Sequence, residues 1–138
     1  MASLIYNSAI EDMAKSSIDF DSDTFKVMLV TDAYVANKDT HAKRSDVTNE
    51  VSGTGYSAGG IASSVSVTKD LTADKVTIQF AAVSWASSTI TARGAIYYKS
   101  RGGVSGNDEL VAYNDFGSNI TTSNGTFSLA ASTLTLQN

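Results

Sequence analysis

Apolar residues recur at two different periods along this chain, and the change of period marks the elements it should form. From Ser3 to about Ser17, Tyr6, Ala9, Ile10, Met13 and Ala14 fall at helical spacing, and Glu11 stands four residues before Lys15. This predicts a short amphipathic helix with Ser3 as its N-cap. After an acidic connection over residues 18–23, Phe25, Val27 and Leu29 alternate with Lys26, Met28 and Val30. Only Lys26 interrupts the apolar character, so this strand should be covered on both faces.

Neither period holds between Tyr34 and Gly60, where Lys38 to Asp46 mixes both charges and Gly53, Gly55, Gly59 and Gly60 follow. A long surface loop is expected there, with one short strand near Val47 to Val51. Beyond it, Val65 and Val67, then Val76, Ile78 and Phe80, alternate with polar residues around an Asp70 to Asp74 turn, which reads as a hairpin. Val83 and Trp85, the run Thr89 to Lys99, and Leu110 to Phe116 supply further strands, with Gly94 at a bulge or close contact. Asn124-Gly125 marks a hairpin turn ahead of Phe127/Leu129 and Leu134/Leu136. The expectation is a mainly β fold of six to eight short strands in a sandwich or partly open barrel, with one short N-terminal α-helix. Residues 1–138 should form one domain, because a chain of this length buries about two-thirds of its surface around one core.

Serine and threonine make up 35 of the 138 residues, while cysteine and proline are absent. The first suits hydroxyl-studded strands; the second removes disulfides, thiolate nucleophiles and cysteine-ligated metals. The formal charge of -4 and the lack of any basic run longer than Lys43-Arg44 argue against direct nucleic-acid or membrane partners. No secretory leader or membrane-spanning stretch is legible, so export by that route is not expected.

Candidate chemistry is thin. Gly55-Tyr56-Ser57-Ala58-Gly59 matches the nucleophile-elbow pattern, but the only histidine, His41, lies upstream and strands follow, so a glycine-serine turn is the better reading. His41 with Asp39, Asp46 and Glu50 lacks metal-ligand spacing. Asp19, Asp21 and Asp23 begin like a calcium loop, but Thr24 and Val30 fall where glycine and glutamate are needed. Trp85, Tyr97, Tyr98, Tyr113 and Phe116 sit at strand spacing, which favours core packing over a stacking platform. No catalytic, cofactor or metal site is assigned.

Several blocks together carry a resemblance. They are Leu4-Ile5-Tyr6-Asn7-Ser8, the strand Asp23 to Thr31, Asp39-Thr40-His41, Arg44-Ser45-Asp46-Val47-Thr48-Asn49-Glu50-Val51-Ser52-Gly53-Thr54-Gly55-Tyr56, Trp85, Ser88 to Ala95, and Asp115-Phe116-Gly117. In this order the chain resembles a family of small virion structural proteins of tailed bacteriophages. The resemblance implies a non-enzymatic protein of the phage particle, assembled in the cytoplasm of an infected bacterium and needing no cofactor. Decoration or cementing of the capsid comes first. A neck or head-to-tail connector, or a tail-associated host-surface or glycan-binding module, comes behind. The expected partners are other virion proteins, the major capsid protein foremost, and a homo-oligomer is compatible with this role.

Docking is expected through the N-terminal helix, the long loop and the Arg101 to Asp108 loop, many weak contacts adding on a symmetric shell. Within the long loop, Lys38, Asp39, His41, Lys43, Arg44 and Asp46 are the candidates for polar matching, and Tyr34 and Tyr56 for aromatic anchoring.

Overall fold

The computed structural model describes residues 2–138. Among these residues the chain forms β1 (Leu4–Ile5), α1 (Asn7–Ala14), β2 (Phe25–Val30), β3 (Ile61–Ala62), β4 (Val65–Asp70), β5 (Lys75–Phe80), β6 (Val83–Ser88), β7 (Thr91–Lys99), β8 (Leu110–Thr121), β9 (Gly125–Leu129) and β10 (Ser132–Gln137). Short 3-10 turns occupy Arg44–Asp46 and Ser105–Asn107. The sheets are ordered β1-β8-β7-β2-β3, β10-β5-β4 and β6-β9, so the fold is a mainly β sandwich and no barrel closes. The two strands beyond the expected count, β1 and β3, are two residues each, too short for a period to mark them.

Most of the sandwich is one bent ribbon. Lys75 faces Gln137 and Phe80 faces Ser132; the same offset carries on through Val83–Leu129 and Trp85–Phe127, then Thr91–Thr121 and Ala92–Ile120. The strand pair thus leaves the three-stranded sheet, turns a corner as β6 and β9, and enters the five-stranded sheet as β7 and β8. Ser87 and Asn124 take positive φ of 50° and 48° at the far side of that corner. Asn124-Gly125 therefore bends one strand of the ribbon. The expected hairpin reversal does not form, because β8 pairs with β7 and β9 with β6.

The expected β4–β5 hairpin pairs in register from Val65–Phe80 to Asp70–Lys75. Gly94 lies at a register shift between β7 and β8. A Cβ there would collide with the Tyr113 ring and come within 2.8 Å of the Asn114 carbonyl.

Side chains on a strand alternate between faces, so β2 and β7 present two different surfaces. Phe25, Val27 and Tyr97 face the three-stranded sheet, where the Phe80 ring lies 5.7 Å from Phe25 and 4.6 Å from Tyr97. Phe20 stacks on Phe25 at 5.2 Å, closing the sandwich at one end. The acidic connection before β2 is tied down by Lys99, which donates to the Ser17 carbonyl at 2.7 Å and pairs with Asp23 at 2.8 Å. The opposite face of the five-stranded sheet carries Tyr98 and Tyr113, and the long loop covers it.

The helix starts later than its apolar spacing suggested. Leu4 and Ile5 pair with Tyr113 and Ala112 of β8, and the Ser3 hydroxyl accepts the Asp115 N–H at 2.9 Å, so Ser3 caps no helix. Tyr6 takes the cap position in extended geometry with no side-chain cap. The first helical N–H, that of Asn7, donates instead to the Lys38 carbonyl at 2.9 Å, so the loop supplies part of what a capping side chain would.

Candidate interaction face

The loop over residues 34–60 is pinned to the sheet at many points. The Asn49 carbonyl accepts the Thr31 N–H and Val51 donates to the Leu29 carbonyl, so a single bridge at Glu50 stands where a short strand was expected. Gly60, at φ 71°, passes so close to β2 that a Cβ would collide with the Val27 carbonyl and come within 2.8 Å of the Met28 Cα.

The candidate residues divide sharply. Tyr34 is 3% exposed; its hydroxyl bridges the Tyr6 hydroxyl at 2.8 Å and His41 Nδ1 at 2.9 Å, and its ring meets Tyr113 edge-on. Tyr56 accepts the Leu29 N–H at 2.9 Å and donates to Glu50 at 2.8 Å, with its ring 5.8 Å from Trp85. Burial holds the Tyr56 phenol above its usual range. Both tyrosines are internal staples, which corrects their expected role as surface anchors: each loses its hydroxyl to the fold.

Arg44 and Asp46 are also used internally. Arg44 Nε donates to Asp108 Oδ2 at 2.7 Å, and the guanidinium lies 5.3 Å over the Tyr98 ring. Burial pushes the Tyr98 phenol up to about 12. Asp108, whose side chain is 2% exposed, also accepts the Arg101 N–H at 2.8 Å. Asp46 accepts the N–H groups of Ala42 and Lys43 at 2.9 and 2.8 Å, which hold its carboxyl below the usual range. Lys43 lies 3.4 Å from Glu109, which Arg101 also grips. Burial is the largest single influence on Glu109 and opposes its charge, but the Arg101 hydrogen bond, a backbone hydrogen bond and the Lys43 and Arg101 charges together outweigh it, and the carboxyl is held low.

Lys38 and Asp39 alone of the eight point into solvent. They pair at 2.9 Å, and Asn7 reaches Asp39 at 2.6 Å. His41 sits between, its carbonyl accepting from Ser8.

These contacts join the three segments read separately from the sequence. The start of α1 is bonded to residues 38–41, residues 43–44 are bonded to Asp108 and Glu109, and the turns Arg44–Asp46 and Ser105–Asn107 pack together. On these joined segments Ile10 is 55% exposed and Val104 70%, with Lys38 and Asp39 also in solvent, and Val35, just ahead of them in the chain, is 68% exposed. Exposed apolar side chains on a backbone held by buried ion pairs suit a preorganised protein contact. Sequence reasoning placed Ile10 in the helix but singled out none of Ile10, Val35 and Val104 as contact residues; for Val104 the available signal was a lone apolar residue between Gly103 and Ser105.

Other chemistry finds little geometry. Ser57 is exposed in a turn whose Gly60 N–H returns to its carbonyl. Among the described residues no group of three or more His, Asp or Glu is placed to hold a metal ion, and no helix is long and apolar enough to cross a membrane. Trp85, Tyr97, Tyr98 and Tyr113 are buried, so they offer no stacking platform for a sugar. No family model, curated protein or solved structure matches this chain.

Proposed function

We propose that this chain is a non-enzymatic structural protein of a tailed-phage virion, that it resides in the particle, and that it decorates or cements the capsid by repeated protein contacts. The observation that carries the docking mode is the joining of α1, residues 37–46 and residues 101–108 into one preorganised face. The virion assignment is supported by the resemblance blocks, which supply scaffold positions here: Tyr6, Arg44, Glu50 and Tyr56 hold the long loop in place, and Gly94 lets β7 and β8 approach closely.

The mechanism follows from multiplicity. A rigid face loses little conformational freedom on docking, and each copy on a symmetric shell needs only a modest interface because neighbouring contacts add. The partner is a virion protein with a complementary apolar patch, the major capsid protein foremost. The test is to add purified protein to particles lacking it and read occupancy by mass spectrometry. Ile10→Asp with Val104→Asp is expected to abolish occupancy while the isolated domain stays folded. Full occupancy by that double variant overturns the site.

A further inference from the structure

The edges of the sandwich are not equally protected. In the five-stranded sheet both edge strands, β1 and β3, are only two residues long, and β4 carries Lys69 and Asp70. Brevity and charge are two devices that keep strand edges from pairing with another chain. The β10 edge has neither. From Phe116 to Asn138 no side chain is charged and none is proline, and β10 pairs with β5 without a bulge over six residues.

The hydrogen-bond phase of that edge can be worked out. Asn138 donates to the Asp74 carbonyl. Antiparallel pairs alternate between bonded and non-bonded, so Ser132, Leu134 and Leu136 bond to β5. The main-chain groups of Thr133, Thr135 and Gln137 therefore face outward, away from the sheet. Side chains alternate as well: Leu134 and Leu136 point to the inner face, where Leu134 is buried and Leu136 is 48% exposed.

Next to this edge lies an open cleft of about 500 Å³, lined by Leu4, Ile5, Phe80, Tyr97, Ala112 and Leu134 among others. It exists because β8 and β1 extend the five-stranded sheet beyond the cover that β10 provides. One more strand beside β10, with an apolar side chain facing inward, would fill it.

We propose that the missing strand is β10 of a second copy of this chain. Antiparallel pairing about Thr135 places Thr135 opposite its own counterpart as a bonded pair and Thr133 opposite Gln137. Leu134 then lies opposite Leu136 of the second copy at a non-bonded position, where side chains approach most closely. The outward main-chain groups of each strand meet, no charge opposes a charge, and the apolar faces stay on one side. Leu136 of each copy is carried to the cleft of the other. The two three-stranded sheets become one of six strands, and the contact is isologous, so it closes at a dimer. The two bodies lie toward opposite ends of the paired strands. This inference does not depend on the virion reading and would hold for the isolated protein.

Sedimentation of the purified full chain over a range of concentrations tests it. The expected result is a concentration-dependent species of twice the chain mass. Thr135→Lys sets two ammonium groups together at the two-fold and is expected to raise the dimer dissociation constant by roughly a hundred-fold or more. Thr68→Lys, on the outer face of the opposite edge strand, is expected to leave it unchanged. Because the chain contains no cysteine, Thr135→Cys provides a second readout: a short bis-maleimide is expected to link it into covalent dimers, and not Thr68→Cys. A wild-type chain that remains monomeric, a dimer indifferent to Thr135→Lys, or a Thr135→Cys variant that links no better than Thr68→Cys overturns the proposal.

Discussion

Replacing Arg44 with alanine separates a solvated loop cation from a structural one. If Arg44 were an ordinary surface charge, its loss would alter stability by no more than about 0.5 kcal/mol. The structure assigns it a larger part, because its Nε is 2.7 Å from an Asp108 carboxylate whose side chain is only 2% exposed. Truncation leaves that carboxylate facing the protein with the Arg101 N–H as its remaining close donor, and removes the cation over the Tyr98 ring. Breaking a buried pair from one side costs about 3–5 kcal/mol. Arg44 is itself 21% exposed and water can reach the gap, which puts the expected loss near the lower end, about 3 kcal/mol. Urea unfolding followed by tryptophan fluorescence measures this directly, since Tyr56 of the same loop packs on Trp85. A double variant, Arg44→Ala with Asp108→Asn, should recover at least about 1 kcal/mol by neutralising the stranded carboxylate. A single-variant loss within about 0.5 kcal/mol of zero would refute the buried-latch reasoning.

Tyr34→Phe should cost about 1–3 kcal/mol, because it leaves the fully buried Tyr6 hydroxyl without the partner it has at 2.8 Å; thermal unfolding reads the loss. Gly60→Ala should prevent the loop from seating on β2, seen as proteolytic cleavage within residues 34–60 under conditions where the wild-type chain resists. In acid, Asp115 contributes a defined window. Its hydrogen bond from Arg93 lowers its pKa from 3.8 to about 2, so its stabilisation is present above 3.8 and is lost as pH falls through about 2. Arg93→Gln should move the Asp115 titration upward by carboxylate NMR, and an unmoved titration would assign the depression to other groups.

The parts of the fold legible in the sequence were those where one period runs uninterrupted against a single partner. Val65 to Phe80 is such a case, with a polar turn between two alternating runs, and Phe25 to Val30 is another. Gly94 was readable because a glycine among apolar strand residues signals close approach. The corner at Asn124 was misread for a physical reason: a positive-φ dipeptide specifies a local bend, and whether the chain reverses depends on which strand is waiting beside it. Here Val83 to Ser88 had already taken that place.

The long loop was the harder case. Its location was plain from the absence of periodicity, but its character was not. Asp108 lies 64 residues from Arg44, and nothing in the local pattern tells a charge that meets a buried carboxylate from one that meets water. Tyr34 and Val51 in a polar stretch were the hint that this segment covers a sheet. The strand at Leu4–Ile5 was hidden because the helical spacing of Tyr6, Ala9 and Met13 extends naturally backward over it.

Under the proposed function, this chain sits on a phage shell by the face built from α1, residues 37–46 and residues 101–108. A residue-resolution reconstruction of the intact particle tests it most directly. The expected result is density for the bent-ribbon sandwich on the outer shell, with Ile10 and Val104 turned toward a neighbouring virion protein. A mature particle with no such density, or one holding the chain with that face in solvent, would contradict it.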